Sequence, residues 1–347
     1  MRRYCGCVHA ELGFYTLAGA PRSPRDMLDE LAHAERLGLG TAFVSERFNT
    51  KEAGALTGAA CAVTSSLDII TAATNHTTRH PVVTASWAST LHLVSGGRFS
   101  LGIGRGIEAM FRAFGMPMAT TESMESFALL MRRLWNGETV LNHSDVSGTY
   151  PVLRLDPDFR LDIPLSITAF GPRTLDLGGR VFDNVILHTF FTDETTARAV
   201  ATVKGAAERA GRDPSTVRVW SCFATIGDHL PADVRLKKTV GRLATYLQAY
   251  GDLMVSTNNW DPAVLRRFRE DQFVRGFAGA LDAKATTAEL EHVAGLIPDE
   301  WLVHSAQGSP PQCAAAVRNQ LALGCDGVIM HGASPTELEP IIAAYAG

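Results

Sequence analysis

Short runs of apolar, mostly β-branched residues alternate along the chain with longer segments in which apolar residues recur at helical spacing. Eight of the short runs are predicted strands: ELGFYTLA, TAFVSE, LDIITAAT, RFSLGIG, PLSITAF, DNVILHT, TVRVWSCFAT and DGVIMHG. Runs that are apolar on both faces are typical of parallel strands covered by helices. Each run is followed by a predicted helix, and eight such units favour an α/β fold of the (β/α)8 TIM-barrel type over an open sheet.

Capping residues and interruptions refine this pattern. Ser23 is a predicted N-cap, Pro24 occupies the first helical position, and Gly38 follows the end of that helix. An insertion at about 137–163 is rich in turns and extended segments, whereas one at about 229–303 is mostly helical and falls between strands seven and eight. No linker composition appears, so the whole chain, residues 1–347, is predicted to form one domain.

Composition narrows the class of protein. Hydrophobic residues make up 46% and charged residues 20% of the 347 residues, as in soluble globular enzymes. The net charge of −4 without a basic block disfavours nucleic acid and anionic membranes as partners. No leader-like apolar segment or run of about 18 apolar residues appears, so we expect a cytoplasmic protein.

The cysteines and histidines show no metal-ligand spacing. Cys5 and Cys7 are too close for a usual zinc pair, and the six cysteines are interpreted as reduced thiols. We therefore predict no metal site. His9, His188 and His331 can line a barrel mouth, although isolated histidines are more often packing residues.

The glycines of GIGRG, Gly102–Gly106, raise a competing interpretation as a dinucleotide-binding turn. That fingerprint needs Gly-x-Gly-x-x-Gly, and Ile107 occupies the position of its last glycine. It also needs an acidic residue about 20 positions later at the end of a strand, but Glu122 and Glu125 lie in a predicted helix. A glycine turn at the end of a barrel strand is the better interpretation.

Four blocks of the sequence together resemble the bacterial-luciferase-like superfamily of flavin- and deazaflavin-dependent oxidoreductases. They are TAFVSERF, TAATNHTTRHPVVTASWASTLHLVSGGRFSLGIGRG, ITAFGPRTLDLGGRVFDNVI and AQGSPPQCAAAVRNQLALGCDGVIM. The resemblance is closest to the branch that uses the deazaflavin coenzyme F420. It implies hydride transfer between F420 and a small organic substrate, and a homodimer formed through helices flanking strands two and three. An FMN-dependent monooxygenase and a barrel that binds deazaflavin or another ligand without turnover are the alternatives.

The resemblance also implies where the cofactor binds. Strand three should end in a bulge with a non-proline cis peptide that backs the ring, and the matching bond is Asn75–His76. The phosphate should lie at the start of the helix after strand five, where backbone N–H groups and an arginine form an anion site; a proline-started helix with an exposed arginine is the alternative. The predicted cofactor-binding residues are Thr74, Asn75, His76, Gly104, Arg105, Gly106, Ala169, Phe170, Gly171, Pro172, Arg173 and Thr174.

Two departures from the family pattern affect the predicted catalytic residues. Sugar-phosphate-oxidising relatives carry a carboxylate directly after the second glycine of a Gly-x-Gly loop. The matching glycine here is Gly106, and it is followed by Ile107 and then Glu108. Many deazaflavin relatives carry Asp-His after strand two, where this chain has Glu46 and Arg47. Arginine stays protonated and cannot shuttle a proton, but it can hold an anionic ring or a substrate carbonyl. Glu46 can transfer a proton if buried, or the two residues can form a structural ion pair. Glu46, Arg47 and Glu108 are the predicted catalytic residues.

Overall fold

Parallel strands arranged in a closed ring form the centre of the computed structural model, which describes residues 9–19, 21, 23–48, 51–156 and 160–347. The strands are β1 (His9–Tyr15), β2 (Leu39–Val44), β3 (Asp68–Thr71), β4 (Phe99–Ile103), β5 (Val140–Asp145), β6 (Gly148–Leu153), β7 (Leu165–Thr168), β8 (Asn184–Ile186), β9 (Arg218–Gly227), β10 (Ala306–Gly308) and β11 (Gly327–His331). Eight of them close the barrel in the order β1-β2-β3-β4-β7-β8-β9-β11, with β11 pairing back to β1. The predicted (β/α)8 barrel is confirmed.

Helices cover the outside of the barrel and one of its ends. They are α1 (Asp26–Arg36), α2 (Ala53–Val63), α3 (Pro81–Val94), α4 (Glu108–Ala113), α5 (Thr121–Trp135), α6 (Pro172–Val181), α7 (Asp193–Arg209), α8 (Ala232–Leu236), α9 (Arg242–Asn258), α10 (Pro262–Glu270), α11 (Gln272–Gly276), α12 (Leu281–Lys284), α13 (Thr287–Ala294), α14 (Asp299–Leu302), α15 (Pro310–Ala322) and α16 (Pro335–Ala346). Short 3-10 turns occupy His76–Thr78 and Pro214–Thr216, and a π-helical turn, Lys237–Gly241, leads into α9. No described helix has the length and apolar character needed to cross a membrane.

Both predicted insertions have the expected character. The segment between α5 and β7 contains the antiparallel hairpin β5–β6. The segment between β9 and β10 contains α8 to α14, and its helices enclose a separate apolar core that includes Leu247, Phe268 and Trp301. We call the segment from α8 to α14 the lid, because α9 extends over the carboxyl ends of the barrel strands.

The helix α1 begins later than the sequence predicts, at Asp26 rather than at Pro24. The backbone N–H groups of Asp26, Met27 and Leu28 each donate to the carbonyl three residues earlier. That bonding is of the 3-10 type, so the segment after Ser23 is a turn and the α-helix proper starts after it. Its end is as predicted, because Gly38 follows with a positive φ of 73°. Cys5 and Cys7 lie outside the described residues.

Candidate active site

A cavity of about 790 Å³ opens at the carboxyl ends of the barrel strands, where TIM barrels place their chemistry. The loops after the barrel strands form its floor and sides, and α9 of the lid forms its roof. Ten of the predicted site residues line it: Arg47, Arg105, Gly106, Glu108, Ala169, Phe170, Gly171, Pro172, Arg173 and Thr174. The other five, Glu46, Thr74, Asn75, His76 and Gly104, are not among the lining residues.

One end of the cavity is a cationic site at the start of α6. Arg105 extends across from the loop after β4, and its Nη2 lies 3.4 Å from Thr174 Oγ1. Gly171 is the N-cap of α6, and no side chain caps the helix there. Gly171 and the three residues after it line the cavity, so the start of the helix faces it. Burial lowers the pKa of Arg105, and the neighbouring charge of Arg173 lowers it further, whereas Glu122 acts in the opposite direction. We call Arg105, Arg173 and the first turn of α6 the α6 site.

The glycines of the loop after β4 are needed for close packing. A Cβ at Gly104 would lie 2.5 Å from Thr168 Oγ1, and one at Gly106 would lie 2.3 Å from the ring of Phe111. Gly106 also has a positive φ of 76°, a backbone conformation that residues with a side chain rarely adopt. Gly104 therefore lets β4 approach β7, and only Gly106 reaches the cavity wall.

The predicted position of the cis peptide is wrong by three residues. The bond joins Ala72 to Ala73, and Ala72 lines the cavity. Thr74 still pairs with Ile103 as an extension of the sheet, and the Asn75 side-chain amide donates to the carbonyl of Gly104 at 2.8 Å. The segment predicted to form the bulge, Asn75–His76, therefore follows the cis bond and lies between the cavity wall and the outer helices.

His76 faces the helix layer rather than the cavity. Its Nε2 lies 3.1 Å from Ser123 Oγ, and its ring centroid lies 5.2 Å from that of Phe127 on α5. Burial lowers its pKa to about 4, so the ring is neutral at pH 7. Ala72 therefore forms part of the cavity wall, whereas His76 lies behind that wall.

Glu46 and Arg47 are adjacent in sequence but point to different environments. The carboxylate of Glu46 is almost fully buried and pairs with Arg79, whose Nη2 lies 2.6 Å from Glu46 Oε1. Thr74 Oγ1 also donates to Glu46. Arg47 instead enters the cavity and donates from Nη1 to the carbonyl oxygen of Gly19 at 3.2 Å. Arg79 is therefore the partner that holds Glu46. No motif in the sequence singles out this arginine.

Two further cations, Lys51 and Arg242, share the part of the cavity that Arg47 enters. Lys51 is 3% exposed and donates from Nζ to the carbonyl oxygen of Leu17 at 2.6 Å. Burial lowers its pKa to about 7, and the charge of Arg47 contributes. Arg242, at the start of α9, pairs with Asp282 at 2.9 Å. We call Arg47, Lys51 and Arg242 the β2 cluster.

Aromatic and imidazole groups line the space between the two cationic regions. His188 Nε2 lies 3.0 Å from the hydroxyl oxygen of Tyr250 on α9, and the His188 ring lies 4.4 Å from that of Phe170. Burial lowers the pKa of His188 to about 4 and that of His331 well below its usual value. His188 and His331 therefore line the cavity as neutral groups. His9 packs against Tyr345 at the start of β1, away from the cavity.

Glu108 stands at the rim of the cavity. Its side chain is 63% exposed, and its Oε1 accepts from Arg112 Nη2 at 2.6 Å, one helical turn later. The carboxylate thus lies in an exposed ion pair within its own helix, of the kind that contributes little to stability. Its predicted catalytic role stays a prediction.

Comparison with known proteins agrees with this architecture. The luciferase-like monooxygenase family matches residues 8–327. The chain is 27% identical over 322 residues to the 5,10-methylenetetrahydromethanopterin reductase of Methanolobus tindarius, covering 88% of this chain and 91% of that protein. The structure of the coenzyme F420-dependent tetrahydromethanopterin reductase of Methanopyrus kandleri superposes with a TM-score of 0.81 at 19% identity, covering 97% and 99% of the two chains. An F420-dependent secondary alcohol dehydrogenase, solved with an F420–acetone adduct, superposes with a TM-score of 0.72 at 18% identity, covering 97% and 99%.

The chain belongs to the luciferase-like monooxygenase family. It is an oxidoreductase of that superfamily, as the sequence resemblance predicted.

Proposed function

We propose that the protein transfers hydride between coenzyme F420 and a small organic substrate. The observation that carries the proposal is the α6 site, which joins an aromatic-lined cavity at the carboxyl ends of the barrel. One elongated anionic cofactor can occupy both, with its phosphate at α6 and its ring over the barrel. The F420-dependent activities of the two structural relatives, and the reductase activity of the sequence relative, support the same proposal.

The residues present fit such a cofactor. The side of Gly171 that faces the cavity is open, since a Cβ there would have only Leu253 Cδ1 nearby, at 4.0 Å. Arg105 and Arg173 would hold the phosphate by charge-assisted hydrogen bonds. When bound, F420 supplies the centre that gives or accepts a hydride. The protein binds and orients it, and Tyr246, Tyr250 and Leu253 of α9 exclude water from above.

Titration of the full-length protein with F420 and with FMN tests the cofactor assignment. We expect F420 fluorescence to change on binding at micromolar protein concentrations, and FMN to bind more weakly. Preferential binding of FMN together with oxygen consumption would instead assign the protein to the flavin-dependent monooxygenases. Tight F420 binding without reduction by any hydride donor tested would favour the non-catalytic alternative.

The α6 site is tested separately by Arg173→Ala. Loss of one charge-assisted contact is expected to weaken F420 binding by roughly tenfold, at the lower end of the usual range because Arg173 is exposed. Arg267→Ala, an exposed arginine on α10, is the matched control and should leave affinity unchanged. Unchanged F420 affinity in Arg173→Ala at low salt would show that the phosphate does not bind at α6.

We also propose a homodimer formed through helices flanking β2 and β3, namely α2 and α3, together with α5, which packs against α3. These helices pack side by side and carry exposed apolar side chains: Val63 at 54%, Val83 at 56%, Leu93 at 51%, Val94 at 54% and Leu129 at 47%. Burying such residues is the usual driving force for a stable dimer. Light scattering of the wild-type protein should give twice the mass of the chain. A variant that combines Val83→Glu with Leu93→Glu should give the mass of a single chain. A monomeric wild-type protein at high concentration would reject the proposal.

A further inference from the structure

The β2 cluster lies far from the α6 site around the barrel. Arg47 and Lys51 follow β2, and Arg173 follows β7, which is three strands further along the ring. Arg242 comes from the lid above β1 and β11. A Cβ added to Gly19 would lie 3.7 Å from Arg242 Nη2. The carbonyl oxygen of the same glycine accepts from Arg47, so the two arginines are close together. A cofactor phosphate held at α6 therefore leaves the β2 cluster to a different group.

The charges of the β2 cluster are incompletely balanced by the protein. Arg242 has Asp282 as its partner. Glu30 lies near Lys51, but its carboxylate accepts from Thr16 Oγ1 at 2.6 Å and from the Leu17 N–H at 2.7 Å rather than from the lysine. Within the described part of the chain, no carboxylate comes within ion-pair distance of Arg47. Lys51 and Arg242 are buried, whereas Arg47 is exposed at the opening of the cavity. Three cations thus lie together near two carboxylates, and holding the two buried charges close to a third is costly.

The local backbone fixes two of these cations close together. The N–H of Arg47 donates to the carbonyl of Lys51 at 2.9 Å, and the N–H of Lys51 donates back at 3.3 Å. Partial loss of water around the guanidinium and then the charge of Arg242 lower the pKa of Arg47, although the residue is still exposed. The cations therefore repel one another, and an anion between them would remove both the repulsion and the desolvation cost.

An unpartnered polar atom points to a ligand at the same place. Nδ1 of His331, at the end of β11, is buried and has no hydrogen-bond partner among the described residues. His331 lines the cavity and lies against the ring of Tyr15 at 5.4 Å. Its pKa is lowered by burial and then by neighbouring cations, among them Arg242, Arg47 and Lys51. A neutral imidazole beside three cations can hydrogen-bond a ligand without adding to the charge.

We infer that the β2 cluster binds the anionic group of the substrate, and that the substrate is an organic anion with an apolar body. The carboxylate or equivalent group would lie among Arg47, Lys51 and Arg242, and the apolar body would extend towards the aromatic groups over the barrel. The assignment to the substrate rests on the proposed function. The presence of an anion site does not, because it can be measured without cofactor.

Benzoate and its uncharged analogue benzamide test the anion site on the cofactor-free, full-length protein. Calorimetric titration should give a benzoate affinity at least tenfold higher than that for benzamide. Arg47→Gln removes a cation that has no carboxylate partner among the described residues. It should weaken benzoate binding by roughly tenfold, with little change in fold, because Arg47 is exposed. Arg25→Gln, on the exposed turn before α1, is the matched control. Equal affinities for benzoate and benzamide, or unchanged benzoate binding in Arg47→Gln, would overturn the inference.

A second titration with F420 separates the substrate assignment from the proposed function. Simultaneous binding of benzoate and F420 is expected if the β2 cluster serves the substrate. Mutual exclusion would overturn that assignment and show that the cluster holds part of the cofactor. Failure of F420 to bind at all, with benzoate binding intact, would reject the proposed function and leave the anion site established.

Discussion

The two cationic regions of the cavity differ in how they are built. The α6 site uses residues that follow one another, Arg173 and Thr174 at a helix start, together with Arg105 from the preceding barrel loop. The β2 cluster combines a loop after β2 with a lid helix about 190 residues later in the chain, and it buries its lysine. Both arginines of the α6 site are exposed, whereas the β2 cluster buries Lys51 and Arg242 and leaves only Arg47 exposed.

The largest effect is expected at the buried pair of the β2 cluster. Arg242 and Asp282 have side chains only 9% and 10% exposed. Arg242→Met leaves the Asp282 carboxylate buried without its cation, which typically costs about 3–5 kcal/mol of unfolding free energy. Urea unfolding measures the loss, and Arg112→Gln, in an exposed pair, should cost less than about 1 kcal/mol.

Adding Asp282→Leu to Arg242→Met should restore much of the lost stability, because no uncompensated charge remains. A single variant as stable as the wild type would show that the lid does not depend on this pair. The β2 cluster would then serve binding alone.

The sequence predicts these two regions unequally, for a physical reason. Apolar runs and helical spacing predict the barrel because burial and backbone hydrogen bonding act locally along each strand and helix. GPRT at a helix start predicts an anion site for the same reason, since the contributing residues are contiguous. Lys51 and Arg242 lie on segments that look solvated, and only closure of the barrel and folding of the lid bring them together. The predicted position of the cis bond, Asn75–His76, is wrong. Thr74 still pairs with Ile103 in the sheet, and such a pairing between separate segments is not visible in the sequence.

A smaller, several-fold effect should distinguish the two regions by their response to salt. Raising the ionic strength from about 0.05 M to about 0.5 M shortens the screening length well below 10 Å and weakens exposed ion pairs more than buried ones. F420 binding at α6 should therefore weaken by more than benzoate binding at the β2 cluster. Parallel titrations at the two salt concentrations measure this, and an equal loss for both ligands would contradict the difference in exposure.

Lys51 gives the β2 cluster a dependence on pH that the α6 site should lack. The charged groups of Arg47, Glu30 and Arg242 act on it, and its own charge acts on His331. Asp282 is the ion-pair partner of Arg242. An anion favours the charged amine, so benzoate binding above pH 7 should take up protons, and its affinity should fall by roughly threefold to tenfold between about pH 6.5 and 8.5. Calorimetry in buffers of different ionisation enthalpy counts the protons, and Lys51→Gln should abolish the uptake.

The same lysine contributes to stability with a defined sign. Its pKa is about 7 in the folded protein and 10.5 ordinarily, so between these values the unfolded chain binds more protons than the folded one. Its contribution to the unfolding free energy therefore rises as the pH rises from about 7 towards 10.5. The slope of stability against pH in this window should be less positive in Lys51→Gln than in the wild type. An identical slope in both proteins would place the pKa of Lys51 at its ordinary value.

The smallest effect on binding is expected at His76, which belongs to neither cationic region. Its ring is neutral at pH 7 and packs against Phe127 behind the cavity wall, so His76→Leu removes no charge from the cavity and no surface that a ligand touches. Unfolding free energy should change by about 1 kcal/mol, through altered packing and loss of the contact with Ser123. Affinities for F420 and benzoate should stay within roughly twofold of the wild type, with Arg173→Ala measured alongside as the variant that does lose F420 affinity. A loss of F420 binding in His76→Leu as large as that in Arg173→Ala would mean that the ring rests on the Asn75–His76 segment, and that the cavity wall at Ala72 is not where the cofactor is held.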